Sequence, residues 1–211
     1  HGPESTRFEH VRPEFERTFK EYGLPWAIRT DNGPPFASVG LGGLSRLSVW
    51  WVRLGIWPER IRPGHPEENG RHERIHKTLK EAVAQPPKAT RRAQQKALES
   101  FRHEYNEQRP HEALGMQTPA ECYRRSQRQF PERLPEIEYG PGVEVRRVRS
   151  NGQIKWAGEM LFLSEALIGE PVGLRQIDNE LWSIHFGPVP LAMYHAGTRS
   201  ITRWELHHRS Q

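Results

Sequence analysis

Cysteine is almost absent: Cys122 is the only one in 211 residues. That excludes an internal disulfide and any cysteine-based metal site, and a reducing compartment fits. No apolar run approaches the length of a membrane span. The opening His1-Gly2-Pro3-Glu4-Ser5 lacks the basic-then-apolar pattern of a signal peptide and has no initiator Met, so the chain reads as a fragment or a processed product. Acids are fewer than bases, 26 against 31, for a formal charge of +5 and a pI near 9.6. That balance favours an acidic partner, nucleic acid or an anionic membrane surface, although an ordinary basic soluble protein has the same composition. No basic amphipathic helix with a large apolar face supports the membrane choice.

Apolar residues, at 35%, and seven Trp with eight Phe supply enough anchors for a folded core, which excludes wholesale disorder. Phe8, Val11, Phe15 and Phe19 recur at helical spacing, and Thr6-Arg7-Phe8-Glu9 has the form of a capping box. A helix is predicted from there to about Tyr22, kinked at Pro13 or truly starting there, and ended by Gly23. Trp26-Ala27-Ile28-Arg29 predicts a short strand, stopped by the turn Asp31-Asn32-Gly33-Pro34-Pro35. A helix rich in Leu and Trp follows over about Leu44 to Leu54, then a brief strand at Ile61 and a loop at Pro63-Gly64-His65-Pro66. Further helices are predicted from Gly70 to Ala84, from Thr90 to Gln108, and from Thr118-Pro119, where Thr caps and Pro takes the first position.

After Gln127 the character changes. Pro131, Pro135, Gly140 and Pro141 mark a linker over 127–140. Residues 141–211 then alternate as strands do, with Asn151-Gly152 as a hairpin turn and Asp178-Asn179 as another. We read this part as a small all-β barrel domain. Residues 1–126 have the helix–strand order of an α/β layer, but two strands are too few for a stable sheet, so its first strands are expected upstream of His1.

Two acids stand out by position. Asp31 follows a strand, and Glu73 lies in the first turn of a helix. Such carboxylates can meet at a sheet edge and hold Mg²⁺, an ion that takes oxygen ligands. Each has a plainer use: Asp31 as a turn former, Glu73 as an acid complementing the helix dipole. Glu73, His76, Lys77 and Lys80 fall at i, i+3, i+4 and i+7 and share one face, while Ile75, Leu79, Ala82 and Val83 line another. Residues 71–128 hold 13 Lys/Arg against 7 Asp/Glu, the surplus that phosphate binding needs, and also one that solvated helices tolerate.

The wording of these segments adds a resemblance. Gly23-Leu24-Pro25-Trp26-Ala27-Ile28-Arg29-Thr30-Asp31-Asn32-Gly33-Pro34-Pro35-Phe36 resembles the second-Asp signature of the retroviral-type integrase core found in bacterial insertion-sequence transposases. His65-Pro66-Glu67-Glu68-Asn69-Gly70-Arg71-His72-Glu73-Arg74-Ile75-His76-Lys77-Thr78-Leu79-Lys80 resembles its third-acid signature. Tyr105-Asn106-Glu107-Gln108-Arg109-Pro110-His111 and Thr118-Pro119-Ala120-Glu121 resemble the segments that follow. The order is right, and 41 residues lie between Asp31 and Glu73, a long interval similar to the IS3/IS481-like branch.

The resemblance implies an RNase H-like α/β catalytic core, partial here, followed by helices and the small barrel. It implies DNA cleavage and strand transfer with Mg²⁺ or Mn²⁺, two ions in the complete enzyme. Asp31 and Glu73 would be the second and third carboxylates. The acids before Asp31 are Glu4, Glu9, Glu14, Glu16 and Glu21, all in or beside a predicted helix, so none fits as the first. This chain alone is therefore expected to be inactive. Arg74, His76, Lys77 and Lys80 would contact DNA, joined by Arg146, Arg147 and Lys155 of the β domain, whose arginines equally suit an edge that blocks aggregation. Expected partners are DNA and further copies of the protein, in the bacterial cytoplasm at the nucleoid. The alternative is a non-catalytic DNA-binding or assembly protein derived from a transposase.

Overall fold

A computed structural model describes residues 3–62, 65, 70–84 and 86–204, which fall into two compact units. One unit is 1–60 together with 127–211, and the other is 61–126. The loop residues Pro63, Gly64 and Pro66, and the residues beyond Trp204 at the end of the expected β domain, lie outside the described residues.

The first unit opens with helix α1 (Pro3–Tyr22), which carries Pro13 inside it. The helix begins before Thr6, so that residue does not cap it as expected, and of the two places expected for Pro13 it takes the one inside the helix. Pro13 is exposed, so water can satisfy the carbonyl that loses its partner. Gly23, with φ of 81°, ends the helix. Strand β1 (Ala27–Thr30), helix α2 (Arg46–Arg53) and strand β2 (Trp57–Arg60) form a β-α-β unit, its strands parallel with Ala27 opposite Trp57 and Thr30 opposite Arg60. Ser45 caps α2 through a capping box with Ser48. β2 ends just before Ile61, where the strand was expected.

α2 is apolar almost all round, and both sides are used. Leu47, Trp50, Trp51 and Leu54 join Phe19, Leu24 and Ile56 in one cluster, with Phe15, Ile28 and Phe130 packed on it. Val49 and Val52 face a second cluster, built mainly from the β strands. That cluster lies between a five-stranded antiparallel sheet and a two-stranded hairpin. The sheet has the order β3 (Val143–Arg147), β6 (Pro171–Gln176), β7 (Leu181–Phe186), β8 (Val189–His195) and β9 (Ser200–Arg203). The hairpin is β4 (Gln153–Trp156) with β5 (Glu159–Phe162). Val172, Leu174, Ile184, Phe186 and Leu191 from the sheet meet Ile154, Trp156 and Leu161 from the hairpin. Each fully buried side chain of this size contributes roughly 1.5–3 kcal/mol.

Asn151-Gly152 does make a tight turn, with Gly152 at φ of 76°, but it does not join a hairpin. β3 pairs with β6, and β4 pairs with β5. The turn carries the chain from one layer to the other. Asp178 makes the other expected turn, its Oδ1 accepting from the amides of Glu180 and Leu181 at 2.9 and 2.8 Å.

The second unit holds α3 (Gly70–Leu79) extended by a π-helical turn (Lys80–Ala84), and α4 (Arg91–His103) extended by another (Glu104–Gln108). The short α5 (Pro119–Cys122) starts at a Thr118–Glu121 capping box. The π turn widens the end of α3, so Val83 is buried while Ala82, expected beside it, is exposed.

Candidate active site

Asp31 is the first residue after β1, at the carboxyl end of a parallel pair, the edge where α/β sheets bind ligands. Trp57 N–H donates to the Trp26 carbonyl at 2.8 Å and starts the pairing. Arg29 and Glu59, opposite each other in register, form an ion pair at 3.1 Å. Together these fix where the strand stops. Asp31 is exposed, and its Oδ1 accepts from the Gly33 amide at 3.0 Å. The plainer role of turn former is thus real, and it holds the carboxylate in one orientation. At the end of β2, the Arg60 guanidinium donates to the Gly43 carbonyl, and burial holds its pKa below the usual arginine range. Sequence reading passed over Arg60, because its burial depends on Gly43.

Glu73 lies in the first turn of α3, in the other compact unit, and is exposed. Arg74, His76, Lys77 and Lys80 are exposed with it, while Ile75 and Leu79 are half-buried. The expected division into a solvent face and an inner face therefore holds along α3. Among the described residues Glu73 forms no ion pair with Lys77, so that lysine is not neutralised by its neighbour.

The basic residues expected to touch DNA from the β strands are dispersed. Arg146 pairs with Glu144 at 2.9 Å and stacks over Trp156 at 5.1 Å. Arg147 donates to the Gly169 carbonyl at 2.6 Å. Lys155 is exposed on β4, which belongs to the hairpin rather than to the sheet of the two arginines. Arg146 is therefore half-exposed with its charge shared with Glu144, whereas Lys155 is presented to solvent.

The donors at Asp31 and Glu73 are carboxylate oxygens, which suit a hard divalent cation. Both are solvent-accessible, as ligands must be before an ion arrives. Among the described residues no group of three or more His, Cys, Asp or Glu could hold a metal ion. No helix among them is long and apolar enough to cross a membrane.

Residues 54–119 match the family model described as integrase core domain. The matched stretch includes Glu73 and all of α4 and ends at Pro119, the first residue of α5, and Asp31 lies before it. Within 54–119 the chain is therefore similar to an integrase core, the resemblance that the motif around Glu73 carries. It is similar to an uncharacterized 31.7 kDa protein of insertion element IS407 from Burkholderia multivorans (strain ATCC 17616 / 249), 31% identical over 113 residues, which are 53% of this chain and 39% of that protein. It is also similar to an uncharacterized 39.2 kDa protein of insertion element IS476 from Xanthomonas euvesicatoria, 32% identical over 100 residues, 47% of this chain and 27% of that protein. The matches thus span less than half of those relatives. A simian T-cell lymphotropic virus intasome in complex with PP2A regulatory subunit B56 gamma aligns over 87% of this chain and 63% of that one, at 17% identity and a TM-score of 0.43. That likeness is too slight to bear on the fold.

Proposed function

We propose that the chain is part of a DNA transposase/integrase that cleaves DNA and joins its ends by metal-dependent transesterification at phosphodiesters. The observation that carries this is the integrase-core match across Glu73, taken with Asp31 at the carboxyl end of a parallel strand. On this reading β1, α2 and β2 belong to an RNase H-like core, and the β domain is a small barrel of sheet plus hairpin. Asp31 and Glu73 are carboxylate ligands of Mg²⁺ or Mn²⁺, two ions in the complete enzyme. When bound, such ions activate the attacking hydroxyl, of water and then of a DNA 3′ end, and stabilise the leaving oxygen.

The other residues bind and orient. Arg74, His76, Lys77 and Lys80 neutralise phosphates beside Glu73, and Lys155, with Arg146 and Arg147, extends the contact on the β domain. The protein works as an oligomer of identical chains on element ends and target, in the bacterial cytoplasm.

Two titrations test this. Mn²⁺ binding, followed by the loss of the free-ion electron paramagnetic resonance signal, should weaken in Asp31→Asn and in Glu73→Gln. A labelled duplex should bind at low salt and dissociate as salt rises, and Lys77→Glu with Lys80→Glu should weaken that binding. Failure of the duplex to bind refutes the reading. Duplex binding with no Mn²⁺ effect at either acid supports the non-catalytic DNA-binding or assembly protein instead.

A further inference from the structure

The first two turns of α4 carry cations where a helix built for its own stability carries acids. Arg91 and Arg92 are the first two helical residues after the Thr90 cap, and no acid lies in that turn. The amino end of a helix has a partial positive charge, so cations there are repelled. Lys96 follows Arg92 by four residues and so lies on the same face. All three side chains are exposed, and among the described residues none forms an ion pair. The acid on the same face, Glu99, accepts a hydrogen bond from Gln95 at 3.2 Å. Arg91, Arg92, Gln95, Lys96 and Glu99 line one shallow depression. A local rule broken without internal compensation points to an external partner.

The opposite side of α4 is already occupied. Gln94 donates from Nε2 to the Val83 carbonyl at 3.1 Å and accepts at Oε1 from the Lys88 amide at 2.8 Å. Phe101 packs on Tyr105 with ring centroids 5.6 Å apart. The cationic face is therefore held toward solvent by the packing of the other face. From Arg91 to Lys96 the helix rises about 7.5 Å at roughly 1.5 Å per residue, which faces about two phosphates of one DNA strand at roughly 3.4 Å each.

We infer that Arg91, Arg92 and Lys96 form a DNA-backbone track on α4, separate from the residues around Glu73. The inference rests on the DNA-binding reading above. The track grips phosphates without reading bases, so it contributes equally to every sequence. The helix dipole, unfavourable to the arginines, favours the same phosphates.

The test uses the full 211-residue chain and a fluorescently labelled 30-base-pair duplex of random sequence. Affinity is measured by anisotropy across a range of KCl concentrations. The triple variant Arg91→Ala, Arg92→Ala, Lys96→Ala should bind at least about tenfold more weakly at low salt. Its log–log salt slope should be shallower by about 1.8, at roughly 0.9 for each of the two phosphates faced. Its thermal midpoint should not fall, because alanine favours the helix and removes the repelled charges. Replacing the two arginines by lysine should keep most of the affinity. Wild-type binding with the same affinity and slope in the triple variant overturns the track while leaving the DNA reading intact. A wild-type chain that does not bind the duplex overturns both. A triple variant that loses self-association, measured by sedimentation, but keeps DNA affinity makes this face a contact between copies and also overturns the track.

Discussion

Arg53 and Glu170 meet in an ion pair at 3.2 Å, joining the last residue of α2 to the turn that leads into β6. Both side chains are mostly buried, at 19% and 17% exposure. The guanidinium also donates to the carbonyls of Pro135 at 2.8 Å and Leu134 at 3.3 Å. One side chain thus ties three stretches of the first unit together. Glu170→Gln should lower stability to urea by about 1–3 kcal/mol, since it leaves a half-buried guanidinium without its counter-charge. Arg53→Ala should cost more, because it also strips two carbonyls of their donor. Equal midpoints for the two variants would argue against that ordering.

Tyr139 makes a similar junction to the β strands of the first unit. Its hydroxyl accepts from the Gly187 amide at 3.0 Å and lies 3.0 and 3.2 Å from the carbonyl oxygens of Pro171 and His185. Burial pushes the phenol pKa above its usual value. Tyr139→Phe should destabilise by about 1–3 kcal/mol, the cost of unsatisfied buried groups. Gly173→Ala should do the same by another route, since its new Cβ would lie 2.5 Å from the Tyr139 ring. Urea midpoints that match the wild type would remove Tyr139 from this role.

His185 should make stability depend on pH. Burial lowers its pKa below 6.5, and Arg175 lowers it further. The unfolded chain therefore takes up a proton at a pH where the folded chain does not. Stability should rise with pH between the lowered value and about 6.5, and fall on acidification through that window. His185→Gln should flatten the slope in thermal melts. An unchanged slope would assign the dependence to other groups.

Catalysis should be absent from the 211-residue chain alone. On the proposed reading, with Asp31 and Glu73 as acid ligands, a two-ion arrangement would lack a third carboxylate, and losing such preorganised charge typically costs orders of magnitude in rate. A plasmid-nicking assay with Mg²⁺ or Mn²⁺ should stay blank. Nicking that vanishes in Glu73→Gln would falsify this and would mean that another acid or a second chain completes the site. Recovery of activity on adding a segment with a strand and its Asp would support the reading directly.

The sequence by itself determined the local punctuation. Thr90 and Thr118 cap their helices, Gly23 ends the first, and Asp178 makes its turn, because each signal acts through neighbours a few residues away. The strand before Asp31 and the helix bearing Glu73 were legible for the same reason, as was the exposed row Glu73, His76, Lys77, Lys80. Long-range partners were not. The alternation around Asn151-Gly152 says that strands flank a turn, but not that β3 pairs with β6, 24 residues on from its last residue to the first of β6. Leu44, Val49 and Val52 carry the same apolar signal as Leu47 and Trp50, and only packing sent the first three to the β-strand core and the others to α1. Hydrophobicity is non-directional, so a sequence marks which residues bury and leaves their partners to the tertiary structure. The cationic face of α4 needed both levels: sequence supplied Arg91, Arg92 and Lys96, and the packing of Gln94 and Phe101 on the other side decided that they face solvent.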